Sequence, residues 1–140
     1  MPTSHQDPCG PLVSNPFGEK YLYEVNRATF SHIDAHTLYS QHFGERLTTP
    51  NSLHLIVGCD SGLLLHYLLQ KPSVESNLYL VIEPDEVRDR LLRENLLPVL
   101  PSNIRLINAD ELTDWLNSPE TLGYLVTDAV NFHESFAARD

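Results

Sequence analysis

Apolar residues in this sequence gather into short unbroken runs, and the runs alternate between two spacings. Leu53-His-Leu-Ile-Val57 is a compact run that stops at Gly58. After the polar turn Cys59-Asp-Ser-Gly62, the segment Leu63-Leu-Leu-His-Tyr-Leu-Leu69 returns apolar side chains at helical spacing. A second run, Leu78 to Ile82, ends at Glu83, and Pro84 to Leu97 then reads as a helix. Pro84 suits its first position, and Asp85 and Glu86 put negative charge at the positive end of its dipole. Asn103 to Ile107 forms a third run, followed by a short helix over Glu111 to Leu116 with Asp110 as its cap.

Strand, tight turn and helix in this repeated order predict an α/β fold: a Rossmann-like three-layer parallel sheet joined by right-handed crossovers. Strands 53–57, 78–82 and 103–107 are expected to be parallel neighbours with the first in the middle. Leu122 to Val126 is the expected fourth strand, and Thr127 to Asp140 is read as helix. At the other end, Lys20 to Val25 alternates in the manner of a strand, and Ala28 to Ile33 is its expected hairpin partner, a small N-terminal β element. Thr37 to Leu47 reads as a helix capped by Thr37. Residues 1–18 carry Pro2, Pro8, Pro11, Pro16, Gly10 and Gly18, which predicts an extended or poorly ordered surface tail. Pro72 to Asn77 is read as a loop. Residues 19–140 are then a single domain.

Composition narrows the partners. Nine Lys and Arg against nineteen Asp and Glu give a net charge of -10, which repels phosphate backbones and anionic membranes, so no nucleic acid and no membrane are expected. The apolar runs are too short to span a bilayer, and the N-terminus lacks a charged-then-apolar leader, which places the expected location in the cytoplasm. Cys9 and Cys59 have no metal-ligand spacing and are expected to be free thiols. If extended, His32, Asp34 and His36 would share one face and offer a metal three ligands, yet no further ligand or supporting shell is recognisable, so no metal is assigned.

The candidate chemistry lies where open parallel sheets place ligands, at the carboxyl ends of the strands. Gly58, Asp60, Gly62, Glu83 and Asp110 occupy the turn and the ends of the second and third strands. Their order is similar to that of S-adenosylmethionine-dependent methyltransferases. There, the first turn approaches the methionine end, an acidic residue ending the second strand binds the ribose, and an Asp after the third strand meets the adenine. Two positions depart from that pattern: Ile56 replaces the acidic residue usual in the first strand, and Asp60 replaces a glycine, with a carboxylate that would oppose an anionic ligand. Each residue also has a structural reading. Asp60 or Ser61 would cap the following helix, Glu83 the one at Pro84, and Asp110 the third, while Gly58 and Gly62 would serve only the turn. Cys59 precedes a helix N-terminus but has no recognisable histidine partner, so it is read as an inert turn residue.

Leu55-Ile-Val-Gly-Cys-Asp-Ser-Gly-Leu-Leu-Leu-His-Tyr-Leu-Leu69, followed by Asn77-Leu-Tyr-Leu-Val-Ile-Glu-Pro-Asp85, resembles the N-terminal region of the motility accessory factor (Maf) glycosyltransferases. The match spans roughly residues 37–110. Those bacterial proteins attach CMP-activated nonulosonic acids to flagellin, and their catalytic module lies downstream of the matched region. The resemblance implies the N-terminal part of a longer protein: a non-catalytic accessory or docking domain with no catalytic residue and no cofactor of its own. Its implied partners are the rest of a glycosyltransferase chain or a flagellin-like protein. The alternative is a small methyltransferase-like protein binding a nucleotide, nucleotide-sugar or S-adenosylmethionine through Gly58, Gly62, Glu83 and Asp110.

Overall fold

A computed structural model describes residues 8–71 and 76–139; the expected loop 72–77 falls largely outside them, as do the first seven residues of the tail. The framework is a four-stranded, wholly parallel sheet of β3 (Leu53–Val57), β4 (Leu78–Ile82), β5 (Ile104–Ile107) and β6 (Val130–Glu134). Its order is β5-β4-β3-β6. The chain thus runs outward from β3 to β5, then crosses back to lay β6 on the other side of β3. The three expected strands are parallel, but β4, not β3, lies between the other two; β3 is interior because β6 covers its far side.

Helices cover both faces. On one face, α2 (Ala35–Phe43), α3 (Leu63–Leu69) and α4 (Asp85–Arg93) pack over Ile56, Tyr79, Val81 and Ile104. On the other, α5 (Ala109–Leu116) and α6 (Pro119–Val126) pack Leu112, Trp115 and Tyr124 on Leu53, Leu55, Leu78 and Leu80. Alternation along β3 and β4 sends successive side chains to opposite cores, so an unbroken apolar run is what a doubly covered strand requires. Each fully buried leucine or isoleucine contributes about 1.5–3 kcal/mol relative to exposure. The central pair, buried along nearly its whole length, is the anchor of the fold.

The flanking segments depart from expectation. Leu12–Ser14 (β1) pairs antiparallel with Lys20–Leu22 (β2), so the hairpin is built partly from the supposed tail. Cys9 is buried and Leu12 and Val13 pack on the core. Tyr23–Asn26 turns into a short helix, α1, and residues 27–33 are turns rather than a second strand. Asp34, not Thr37, caps α2, accepting the Thr37 N–H at 3.1 Å. Asn108, not Asp110, caps α5, in a reciprocal capping box with Glu111. The segment expected as a fourth strand, 122–126, lies in α6, with Pro119 in its first turn. The true fourth strand comes from the segment read as helix, followed by α7 (Phe136–Arg139). No helix among the described residues is long and apolar enough to cross a membrane.

Candidate functional site

The carboxyl ends of β3, β4 and β5 open on one side of the sheet. There, Val57, Gly58, Ile82, Glu83, Val87 and Ala109 line an open cavity of about 460 Å³, closed on one side by Ala137 of α7. The lining is almost wholly apolar, and Glu83 is its one titratable group. Glu83 is 5% exposed, and its Oε2 accepts the Cys59 N–H at 2.8 Å. Burial pushes its carboxyl up from the ordinary value, against the opposing pull of that hydrogen bond. Glu83 therefore makes no cap for α4, whose N-cap is Pro84. It reaches instead across to the neighbouring strand's turn.

That turn is tightly wound. Gly58 and Gly62 have φ of 86° and 92°, and Asp60 and Ser61 between them also lie in the left-handed region, at 51° and 59°. Left-handed backbone costs a non-glycine residue about 1–2 kcal/mol, so the surroundings must hold these two in place. They do so by using the polar groups of the turn. The Gly58 N–H bonds to the Ile82 carbonyl, those of Gly62 and Leu64 to the Cys59 carbonyl, and that of Leu63 to the Asp60 carbonyl. With the Cys59 N–H on Glu83, five of the seven N–H groups from Gly58 to Leu64 are already taken, and those of Asp60 and Ser61 meet no acceptor among the described residues.

Asp60 does not face the cavity and does not cap α3, which begins at Gly62 without a side-chain cap. Its carboxylate is fully buried and holds three distant segments together. Oδ1 accepts from Asn26 Nδ2 at 3.0 Å and the Ala137 N–H at 2.8 Å; Oδ2 accepts from the Tyr39 hydroxyl at 2.7 Å and the Phe136 N–H at 3.2 Å. Burial, with the Asp60 charge beside it, pushes the Tyr39 phenol well above its ordinary value. Ser61 extends the network, donating to Asn26 Oδ1 at 2.6 Å and accepting the Leu22 N–H at 3.0 Å. The Asp60 charge is felt at the site, where it adds to the burial that raises Glu83, so an anion at the turn would meet that charge as well as a reduced set of N–H donors.

Of the five sequence candidates, Gly58 and Glu83 meet at the cavity, Asp60 and Gly62 build the turn behind it, and Asp110 is exposed outside the lining. Cys59 is buried, and desolvation together with the Glu83 charge drives its thiol well above the ordinary range, as suits an unreactive residue. His32, Asp34 and His36 do not share an extended face, because Asp34 caps α2 and His36 lies in its first turn beside Gln70. Among the described residues no three metal-capable side chains converge.

A second polar cluster carried no signal in the sequence. His54, fully buried and stacked on Tyr79, donates through Nε2 to the Thr49 carbonyl at 3.1 Å. A carbonyl only accepts, so His54 Nδ1 is the acceptor in its 2.9 Å bond with His133 Nε2. Burial first, then the His54 and Arg46 charges, hold His133 down to about 4, and burial lowers His54 as well. Both are neutral imidazoles near neutrality, a polar rivet between β3 and β6.

The fold and site define a Rossmann-like α/β domain whose glycine turn is bonded mostly to itself and to the neighbouring strand end and whose strand-end cavity is apolar around one carboxylate. Comparison with protein-family models, with curated proteins and with solved structures finds no match to this chain.

Proposed function

We propose that this chain is a non-catalytic accessory domain of a flagellin glycosyltransferase-like protein of the motility accessory factor kind, organising or docking its partner without performing the transfer. One observation carries this reading: the turn's polar groups are spent on the fold itself. Asp60 holds α7 and the N-terminal segment, and the N–H groups of Gly58, Cys59, Gly62, Leu63 and Leu64 are bonded to the turn itself or to Ile82 and Glu83. Glu83 stands in the cavity without a second acid, base or nucleophile to complete a catalytic pair. Incubating the chain with flagellin and a CMP-activated nonulosonic acid, followed by intact mass spectrometry, should leave flagellin unmodified. A glycan-sized mass increase would end the non-catalytic reading. Sedimentation of the chain with flagellin, and separately with the catalytic module of such a glycosyltransferase, should show a complex with one of them; no complex with either would end the docking reading.

A second reading rests on Glu83 itself, a buried carboxylate at the end of the second strand of the parallel series, where a hydroxylated ligand such as a nucleoside would be met. With five N–H groups of the turn already bonded and the buried Asp60 carboxylate behind them, the site favours a ligand whose affinity does not depend on phosphate. Calorimetric titration with S-adenosylmethionine, S-adenosylhomocysteine and CMP should show nothing tighter than about millimolar. Saturable micromolar binding, lost in a folded Glu83→Gln variant, would make this second reading the correct one.

A further inference from the structure

The two edges of the sheet are treated differently. Along β5, the bonds from Tyr79 N–H to the Asn103 carbonyl and from Glu83 N–H to the Ile107 carbonyl fix which residues face inward, leaving Ile104 and Leu106 to face out. That edge is blunted. The Ile104 N–H is taken by the Pro101 carbonyl at 3.1 Å, the Leu106 carbonyl accepts from Arg88 Nη1 at 3.2 Å, and the Arg105 guanidinium lies over Trp115.

Along β6 the same reasoning gives the opposite result. Leu53 N–H bonds to the Ala129 carbonyl and Ser135 N–H to the Val57 carbonyl, so Val130, Phe132 and Glu134 turn their N–H and C=O groups outward. Among the described residues those groups meet no strand and no side chain. Phe132, in the middle, is 76% exposed. An open groove of about 560 Å³ is lined by Phe132, His133 and Glu134, with His42 and Arg46 on its other wall.

We propose that the outer edge of β6 is a self-association surface, on which a second copy of this chain adds its own β6 antiparallel about a two-fold axis, giving a continuous eight-stranded sheet. The outward residues set the register. Phe132 lies opposite Phe132 of the second copy in a hydrogen-bonded pair, Val130 opposite Glu134, and Asn131 opposite His133. No like charges face each other across this junction, which a chain of net charge -10 needs in order to meet itself. The paired phenyl rings fall on one face beside the half-exposed Val57. The shifted alternatives lose this match: sliding the pairing toward the C-terminus sets Glu134 against Glu134. This inference goes beyond the docking role and does not depend on it.

Sedimentation velocity from low micromolar to submillimolar concentration should show a monomer passing into a dimer. Phe132→Lys, which puts two ammonium groups in register, should remain monomeric throughout while keeping the wild-type circular dichroism spectrum. Amide exchange at Val130, Phe132 and Glu134 should slow on dimerisation, a readout that needs no variant. A wild-type chain monomeric throughout, a dimer that survives Phe132→Lys, or a dimer whose Val130, Phe132 and Glu134 amides exchange as fast as the monomer's would overturn the assignment. Edge protection gained only when a different protein is added would give the edge to that protein and likewise overturn self-association.

Discussion

At the scale of single residues, Asp60 is the position where sequence and structure part most sharply. A capping aspartate exchanged for glycine costs only a few tenths of a kcal/mol. In this fold the same exchange strands Asn26, the Tyr39 hydroxyl and two backbone N–H groups without their acceptor. Each buried orphan costs roughly 1–3 kcal/mol, so Asp60→Gly should lower stability by about 3 kcal/mol or more in urea titration. A loss of a few tenths would return Asp60 to the role of a cap. The His54–His133 pair gives a pH dependence of definite sign. With its folded value depressed to about 4, His133 contributes stability that is complete above its unfolded value near 6.5 and is lost as pH falls toward 4. The loss amounts to at most about 3 kcal/mol. Glu83, raised by burial, works in the opposite direction, so the measurement that isolates the imidazole is the difference between wild type and His133→Gln. That difference should narrow between pH 6.5 and 4; parallel stability curves would remove the pair from the account.

At the scale of elements, the legible parts were those with a strong period and a hard stop. Leu53 to Val57 and Leu78 to Ile82 are buried on both faces, which writes them into the sequence as continuous apolar runs. Gly62 belongs to the same legible class: its φ is 92°, and a Cβ there would stand 3.0 Å from the Leu96 carbonyl oxygen. Gly62→Ala should therefore cost about 2 kcal/mol, measurable as a shift in the urea midpoint, whereas a neutral result would mean that the turn relaxes freely. The last two elements were illegible for a reason. Leu122 to Val126 is apolar and short, a run whose period cannot separate strand from helix, and in α6 several of its apolar side chains remain exposed. Val130-Asn-Phe-His-Glu134 looks nothing like a core strand because it is an edge strand, with neighbours on one side only. Its one deeply buried side chain, His133, is polar and is matched by a histidine 79 residues away.

At the scale of the whole molecule, fold class followed from the repeated run-turn-helix order, but the position of β6 did not, since nothing local in a strand names its neighbour. The site was legible in half. Gly58 and Glu83 could be placed at the strand ends, yet Val87, Ala109 and Ala137 carry no chemical signature, and Asn26 and Tyr39 reach Asp60 only through tertiary packing. The N-terminal residues show the same dependence on distance. Proline and glycine suggested a loose tail, but Gly10 accepts from Arg90 at 2.8 Å, Asn15 donates to the Phe30 carbonyl at 2.9 Å, and Cys9 is buried. Removing residues 1–18 should lower the thermal midpoint by about 10 °C or more, equivalent to about 2–3 kcal/mol, as followed by circular dichroism. An unchanged midpoint would make the segment dispensable. The Asp60 network has one more consequence, for the order in which the chain is made. Two of its four donors, the N–H groups of Phe136 and Ala137, leave the ribosome 76 and 77 residues after the carboxylate they satisfy. β6, which covers the free side of β3, likewise emerges after the rest of the sheet. Until translation reaches them, the nascent domain carries an unsatisfied carboxyl group and an open central strand, so its cooperative closure waits for Phe136 and Ala137 and its window of vulnerability to chaperones and proteases is set by synthesis speed.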